Sequence, residues 1–279
     1  MEGIRGLSSW RWVFILEGIA TVLIGIASFL CITDFPQQAK WLSREEREFL
    51  LKTRADESPI TPITTEDILA FFTKPEHWFG ALMYFSLLVL AYSIVYFLPT
   101  IVQALGYSTV QTQLHSVPPF AAAFGFAVVV AYMSDKCRMR SPFIFFGLAL
   151  LITGLAILIC VRGAAHFSVE YAALCLIAMG SFGVGGNIVC WYIMNLRGHV
   201  KRSIGSAWMI GFGNIGGVIS TFLFVKKDTP YYHSGYSVCL AMAALCVFSC
   251  AGYGLLVRKE IAKDKKLAGG DLVKEPLYL

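Results

Sequence analysis

Seven long apolar runs separated by polar stretches organise the chain. They are Trp12 to Ile32, Trp78 to Leu98, Leu114 to Met133, Pro142 to Val161, Tyr171 to Met194, Ile204 to Val225 and Val238 to Val257. Each approaches the roughly 20 residues that a helix rising about 1.5 Å per residue needs to cross a hydrocarbon layer about 30 Å thick. The pattern predicts an all-α, polytopic membrane protein with seven transmembrane helices. Pro118 and Pro119 make the third run the weakest, because proline has no N–H to give to a helix. Of 18 Asp and Glu, only Glu17 falls inside a run, and Glu170 stands at the edge of one.

The connections set the domain organisation. Residues 1–33 form one transmembrane helix, 34–77 a linker, 78–257 a block of six helices and 258–279 a polar tail. In the linker, Ser43-Arg44-Glu45-Glu46 is a capping box, which predicts a short charged helix from Arg44 to about Ala55 with Phe49, Leu50 and Leu51 toward the membrane surface. Pro59 and Pro62 interrupt it, and Glu66 to Phe72 forms a second short amphipathic helix with Ile68, Leu69, Phe71 and Phe72 toward the lipid interface. The later connections are short, so the six helices pack as antiparallel neighbours in an up-and-down order.

Composition sharpens the picture. The chain is 57% hydrophobic and 15% charged, against roughly a quarter charged in a soluble domain, which excludes a disordered chain and makes the bilayer its solvent. Most of the 23 Lys and Arg lie in the linker, after the third and fifth runs, and in the tail. Short loops rich in these residues stay in the cytoplasm, so the C-terminus is expected inside and the N-terminus outside. The net charge of +5 is thus a topology signal. It is not the footprint of a nucleic-acid partner, which gathers basic residues on one soluble face. No signal peptide precedes the first run, and an N-terminus that must cross the membrane with Arg5 and Arg11 suggests that something upstream is missing.

Candidate chemistry is sparse. The eight cysteines have neither a disulfide framework nor zinc spacing, and no phosphate loop, nucleophile elbow or His-Glu-x-x-His is present. No cofactor, metal site or catalytic residue is expected, and the chain reads as something other than an enzyme. Polar groups inside hydrocarbon are costly and therefore functional candidates. Tyr84, Tyr92 and Tyr96 share one helical stripe, Asn187 and Trp191 another, and Trp208 and Asn214 lie in the sixth run. Tyr84, Tyr92, Tyr96, Asn187, Trp191 and Asn214 are candidates for the wall of a cavity suited to a small polar organic solute. Glu17, the carboxylate deep in a span, is the candidate for proton coupling. Gly180 to Asn187, and the glycines from Gly205 to Gly217, give the fifth and sixth runs smooth faces that allow close helix packing or sliding.

Several segments in combination resemble a known family. Ser134-Asp135-Lys136-Cys137-Arg138-Met139-Arg140 resembles the Gly-x-x-x-Asp-Arg-x-x-Arg-Arg loop of the major facilitator superfamily, with Ala131 in the place of the leading glycine. Trp10 to Gly18, Asp34-Phe35-Pro36, Tyr96 to Ile101, Leu105-Gly106-Tyr107-Ser108, Val117-Pro118-Pro119-Phe120, Gly198 to Ser203 and Gly213-Asn214-Ile215-Gly216-Gly217 are similar to the fungal allantoate and nicotinate permease branch of its anion:cation symporters. The resemblance implies secondary active symport of a small organic anion or carboxylate nutrient with protons, through a twelve-helix bundle of two halves that alternate access. It implies that Asp135, Arg138 and Arg140 form a cytoplasmic gate, and that the seven helices equal the last seven of the bundle. Residues 1–33 then end the N-terminal half, 34–77 is a cytoplasmic linker, and 78–257 is the C-terminal half. The expected partners are the solute, protons, the bilayer and an absent N-terminal half, and the expected location is the plasma membrane. A truncated transporter is the leading reading. A non-transporting fragment or regulatory scaffold is the alternative, and a seven-helix receptor a remote one.

Overall fold

A computed structural model of the chain describes Gly6 and residues 8–31, 41–55, 63–104, 108–161, 167–224 and 232–267. The expected Asp34-Phe35-Pro36 and Leu105-Gly106-Tyr107 segments lie outside the described residues. No strand occurs among the described residues. Nine helices follow one another there: α1 Ser9–Cys31, α2 Arg44–Ala55, α3 Thr65–Phe72, α4 Pro75–Ala104, α5 Thr109–Cys137, α6 Ser141–Cys160, α7 Phe167–Met194, α8 His199–Ser220 and α9 His233–Leu267. The chain divides into two units, Met1–Pro59 and Ile60–Leu279.

In the first unit, α1 is apolar around its whole circumference, the pattern of a helix whose solvent is lipid. Its large side chains, Phe14, Ile19, Leu23 and Phe29 among them, are exposed. Glu17 is exposed on the same helix, and Thr21 Oγ1 donates to its backbone carbonyl at 2.8 Å. The expected capping box starts α2: the Glu46 N–H donates to Ser43 Oγ at 3.3 Å and the Ser43 N–H to Glu46 Oε2 at 3.0 Å.

The second unit holds α3 to α9. Among the described residues, six helices are long and apolar enough to cross a membrane: α1, α4, α5, α6, α7 and α9. The seventh expected span corresponds to α8. Lys201, Arg202 and five glycines dilute its apolar character, so it falls short of the other six while packing alongside α4. α4, α5 and α9 extend past both ends of their apolar runs, while α6 matches its run to within one residue and α8 ends at Ser220, before the expected Val225. The clearest extension is that of α9, which continues to Leu267 through a charged final stretch. α5 passes through Pro118 and Pro119 without a break, as spans do when neighbouring groups take up the freed carbonyls. Another capping box, Ser108 with Gln111, starts it.

Two clusters of buried side chains fill the unit. One, with Met83, Leu148, Ile188, Trp191, Met209 and Tyr253, lies toward the Asp135 end. The other, with Leu90, Leu98, Leu155, Leu174 and Tyr236, lies toward the opposite end. Close backbone approach replaces side-chain volume where α6 meets α7: a Cβ on Gly180 would lie 2.6 Å from the Gly147 carbonyl oxygen. Van der Waals packing of this kind carries helix association in lipid, where no hydrophobic difference between lipid and side chain drives it.

Candidate functional site

The Asp135 loop closes α5 and opens α6. Arg138 ends α5 in the left-handed region, at φ 53° and ψ 27°, with its N–H donating to the Asp135 carbonyl at 3.2 Å. Its side chain is exposed, so the turn uses its backbone, at a position where glycine or asparagine is usual. Arg140 precedes α6 and points inward. One guanidinium nitrogen, Nη2, donates to Asp135 Oδ1 at 2.5 Å, and the other, Nη1, to Asn187 Oδ1 on α7 at 3.2 Å. Asn187 Nδ2 in turn donates to the Gly183 carbonyl at 3.3 Å. The Arg140 side chain is 13% exposed and that of Asp135 64%. A surface ion pair contributes little alone, so the buried half of the relay, Arg140 to Asn187, is the part that ties the loop to the bundle.

The six expected cavity residues divide into two groups. Tyr84, Tyr92 and Tyr96 lie along one side of α4 where it meets α8, and Asn214 lies on α8 next to Gly213. Tyr84 lies over Gly213, and Tyr92 over Gly217 with ring carbons 2.9 Å from where a Cβ would be. Tyr92 and Tyr96 stack with centroids 5.9 Å apart. Asn214, which follows Gly213 in the chain, is exposed, and its amide donates to the Ile210 carbonyl of its own helix at 2.8 Å. Asn187 belongs with the Asp135 loop. Trp191, four residues on, is fully buried and packs edge-on against Tyr253 at 4.8 Å. Glu17 lies in the first unit. Trp208 packs among aromatics, 5.1 Å from Trp78 and 4.8 Å from Phe72.

Sequence reasoning passed over a polar cluster at the same end of the second unit. His77 is 2% exposed, and its Nδ1 lies 3.1 Å from the Tyr192 hydroxyl. Tyr192 packs in turn against Gly80 and Tyr253. Nearby, Arg197 Nη2 donates to Asp264 Oδ2 at 2.6 Å, joining the α7–α8 connection to the far end of α9. Reading α9 on past its apolar run would have found Asp264. Among the described residues no group of three or more His, Cys, Asp or Glu is arranged to hold a metal ion.

A family description, Major Facilitator Superfamily, matches residues 4–221. The chain belongs to the major facilitator superfamily. Similar proteins are named as transporters. A major facilitator-type transporter of Emericella nidulans is 29% identical over 270 residues, covering 96% of this chain and 54% of that protein. The high-affinity nicotinic acid transporter of Saccharomyces cerevisiae is 26% identical over 267 residues, covering 94% and 49%. The inner membrane transport protein RhmT of Escherichia coli is 28% identical over 269 residues, covering 94% and 60%. The chain spans about half the length of the curated relatives it matches. The matched range includes the Asp135 loop and Asn187.

Proposed function

We propose that this major facilitator chain supplies one half-bundle of a proton-coupled symporter for a small organic anion, in the fungal allantoate and nicotinate permease branch. The observation that carries the reading is the Asp135–Arg140–Asn187 relay, which ties the connection between α5 and α6 to the interior of α7. A relay of this kind acts as a gate: while it holds, the ends of α5, α6 and α7 move together. The similarity to a protein named as a nicotinic acid transporter supports a carboxylate solute. The Tyr84, Tyr92, Tyr96 and Asn214 strip is the proposed solute-facing wall, offering hydroxyl and amide groups but no cation. The positive group for a carboxylate then comes from a second half-bundle, and Glu17 is the proposed proton carrier. In the proposed orientation the relay faces the cytoplasm, as does the C-terminus, and the plasma membrane is the proposed location.

The test is uptake of radiolabelled nicotinate and other small carboxylates by liposomes under an imposed pH gradient. The purified 279-residue chain alone gives no uptake. With the N-terminal half of the yeast relative co-reconstituted, uptake appears, collapses with a protonophore and is lost in Arg140→Ala. Uptake by the chain alone overturns the half-bundle reading, and gradient-independent uptake by the pair overturns proton coupling.

A further inference from the structure

Helix α3 belongs neither to the relay nor to the tyrosine strip, yet its last two residues bridge two different helices. Phe71 is 4% exposed. Its ring stacks on His77 of α4, with centroids 3.6 Å apart and planes 6° from parallel. It also reaches α8, where a Cβ on Gly205 would lie 3.4 Å from Phe71 Cε2. Phe72 meets Trp208 of α8 edge-on at 4.8 Å and Trp78 of α4 at 6.0 Å. The Trp78 indole N–H donates to the Phe72 carbonyl at 3.0 Å, satisfying one of the acceptors that a helix end leaves open.

Eight residues are too few for a helix that is stable by itself. α3 persists because both ends are held and its aromatic face is docked. At its start Thr64 and Asp67 form a capping box, with the Asp67 N–H donating to Thr64 Oγ1 at 3.3 Å and the Thr64 N–H to Asp67 Oδ2 at 3.0 Å. The opposite face, with Glu66 and Ala70, is exposed, as are Ile68 and Leu69 one turn before the aromatic pair.

Below α3, the seam between α4 and α8 runs over Gly213, Gly216 and Gly217. A Cβ on Gly216 would lie 2.7 Å from the Phe85 carbonyl oxygen and 3.0 Å from Val89 Cγ2. α8 therefore presents bare backbone to α4 at these positions; Tyr84, Val89 and Tyr92 of α4 seat in the hollows, and Phe212 of α8 meets Phe85 at 5.4 Å. α3 crosses the end of this seam and holds both sides of it. His77, the α4 side of the grip, is itself fixed to α7 through the Tyr192 hydroxyl.

We propose that α3 is a releasable latch: docked, it ties the near ends of α4 and α8 together through Phe71 and Phe72, and undocked, it frees the first turns of α8 to move relative to α4. This goes beyond the transport reading and does not depend on a solute, so its test needs no uptake. Hydrogen exchange is followed by mass spectrometry on the full chain in lipid nanodiscs. In the wild type, α3 is protected. Phe71→Ala raises exchange about tenfold or more in α3 and also in residues 199–212 of α8, while α6 and the middle of α7 keep wild-type rates. Glu66→Gln, on the exposed opposite face, leaves α8 unchanged. Faster exchange confined to α3 overturns the latch, as does an unprotected α3 in the wild type or an accelerated α8 in Glu66→Gln. Should Phe71→Ala accelerate every helix, the milder Trp78→Phe, which keeps a ring and deletes the N–H to Phe72, decides by the same comparison.

Discussion

Arg140, immediately before α6, donates through Nη1 to the amide oxygen of Asn187 on α7 at 3.2 Å, across 47 residues of sequence. The contact makes the short charged loop part of the helix bundle. It also means that a residue in the loop and a residue inside a span share one energetic unit, which a double-mutant cycle isolates.

The first prediction follows from that unit. Arg140→Ala and Asn187→Ala each destabilise the detergent-solubilised chain, and together they cost less than the sum, with a coupling of about 0.5–1.5 kcal/mol, the range for hydrogen bonds between helices and to a charged donor. Asp135→Asn has a smaller effect, because Asp135 is mostly exposed. Additive effects of Arg140→Ala and Asn187→Ala in thermal or denaturant unfolding would remove the relay from the account.

Two glycines on α8 give a second prediction with opposite signs. A Cβ on Gly216 meets the α4 backbone at 2.7 Å, whereas one on Gly211 meets nothing within 4 Å. Gly216→Ala therefore costs about 1–3 kcal/mol through overpacking. Gly211→Ala gains up to about 1 kcal/mol from helix propensity. Melting temperatures of the two variants moving in the same direction would refute the close α4–α8 approach.

The third prediction concerns pH. The Thr64 hydroxyl, and after it the Thr64 N–H, hold the Asp67 carboxyl below its ordinary value of 3.8. A depressed carboxyl adds stability that is complete above the ordinary value and is lost as pH falls through the lower folded value. The first turn of α3 thus stays closed at neutral and mildly acidic pH and opens only below about pH 3.8. Exchange of residues 65–68, corrected for intrinsic rates, reads this directly. In Thr64→Val the turn is open across the whole range, and a turn that opens near neutral pH in the wild type would contradict the assignment.

Much of this protein was legible in its sequence. The apolar runs located every long helix, because a span in hydrocarbon must satisfy its own backbone and so declares itself by length and composition. Ser43 with Glu46 announced α2, since a capping box is a local device. The Asp135 loop stood out for the same reason: its residues lie within one short turn.

What the sequence left open was which face of each helix looks inward. Helices apolar on every side carry little asymmetry, and lipid is as apolar as leucine, so no pattern separates a packed face from an exposed one. Tyr84 and Trp191 therefore looked alike, yet one lines an edge and the other is fully buried against Tyr253. Only the tertiary structure sent Asn187 to Arg140 and brought Phe71 onto His77. It turned Phe71 and Phe72 of α3 toward the bundle and left Ile68 and Leu69 exposed. Composition and local spacing determined the helices and the membrane as their solvent, while contacts between residues far apart in the chain decided which of the polar and aromatic side chains act together.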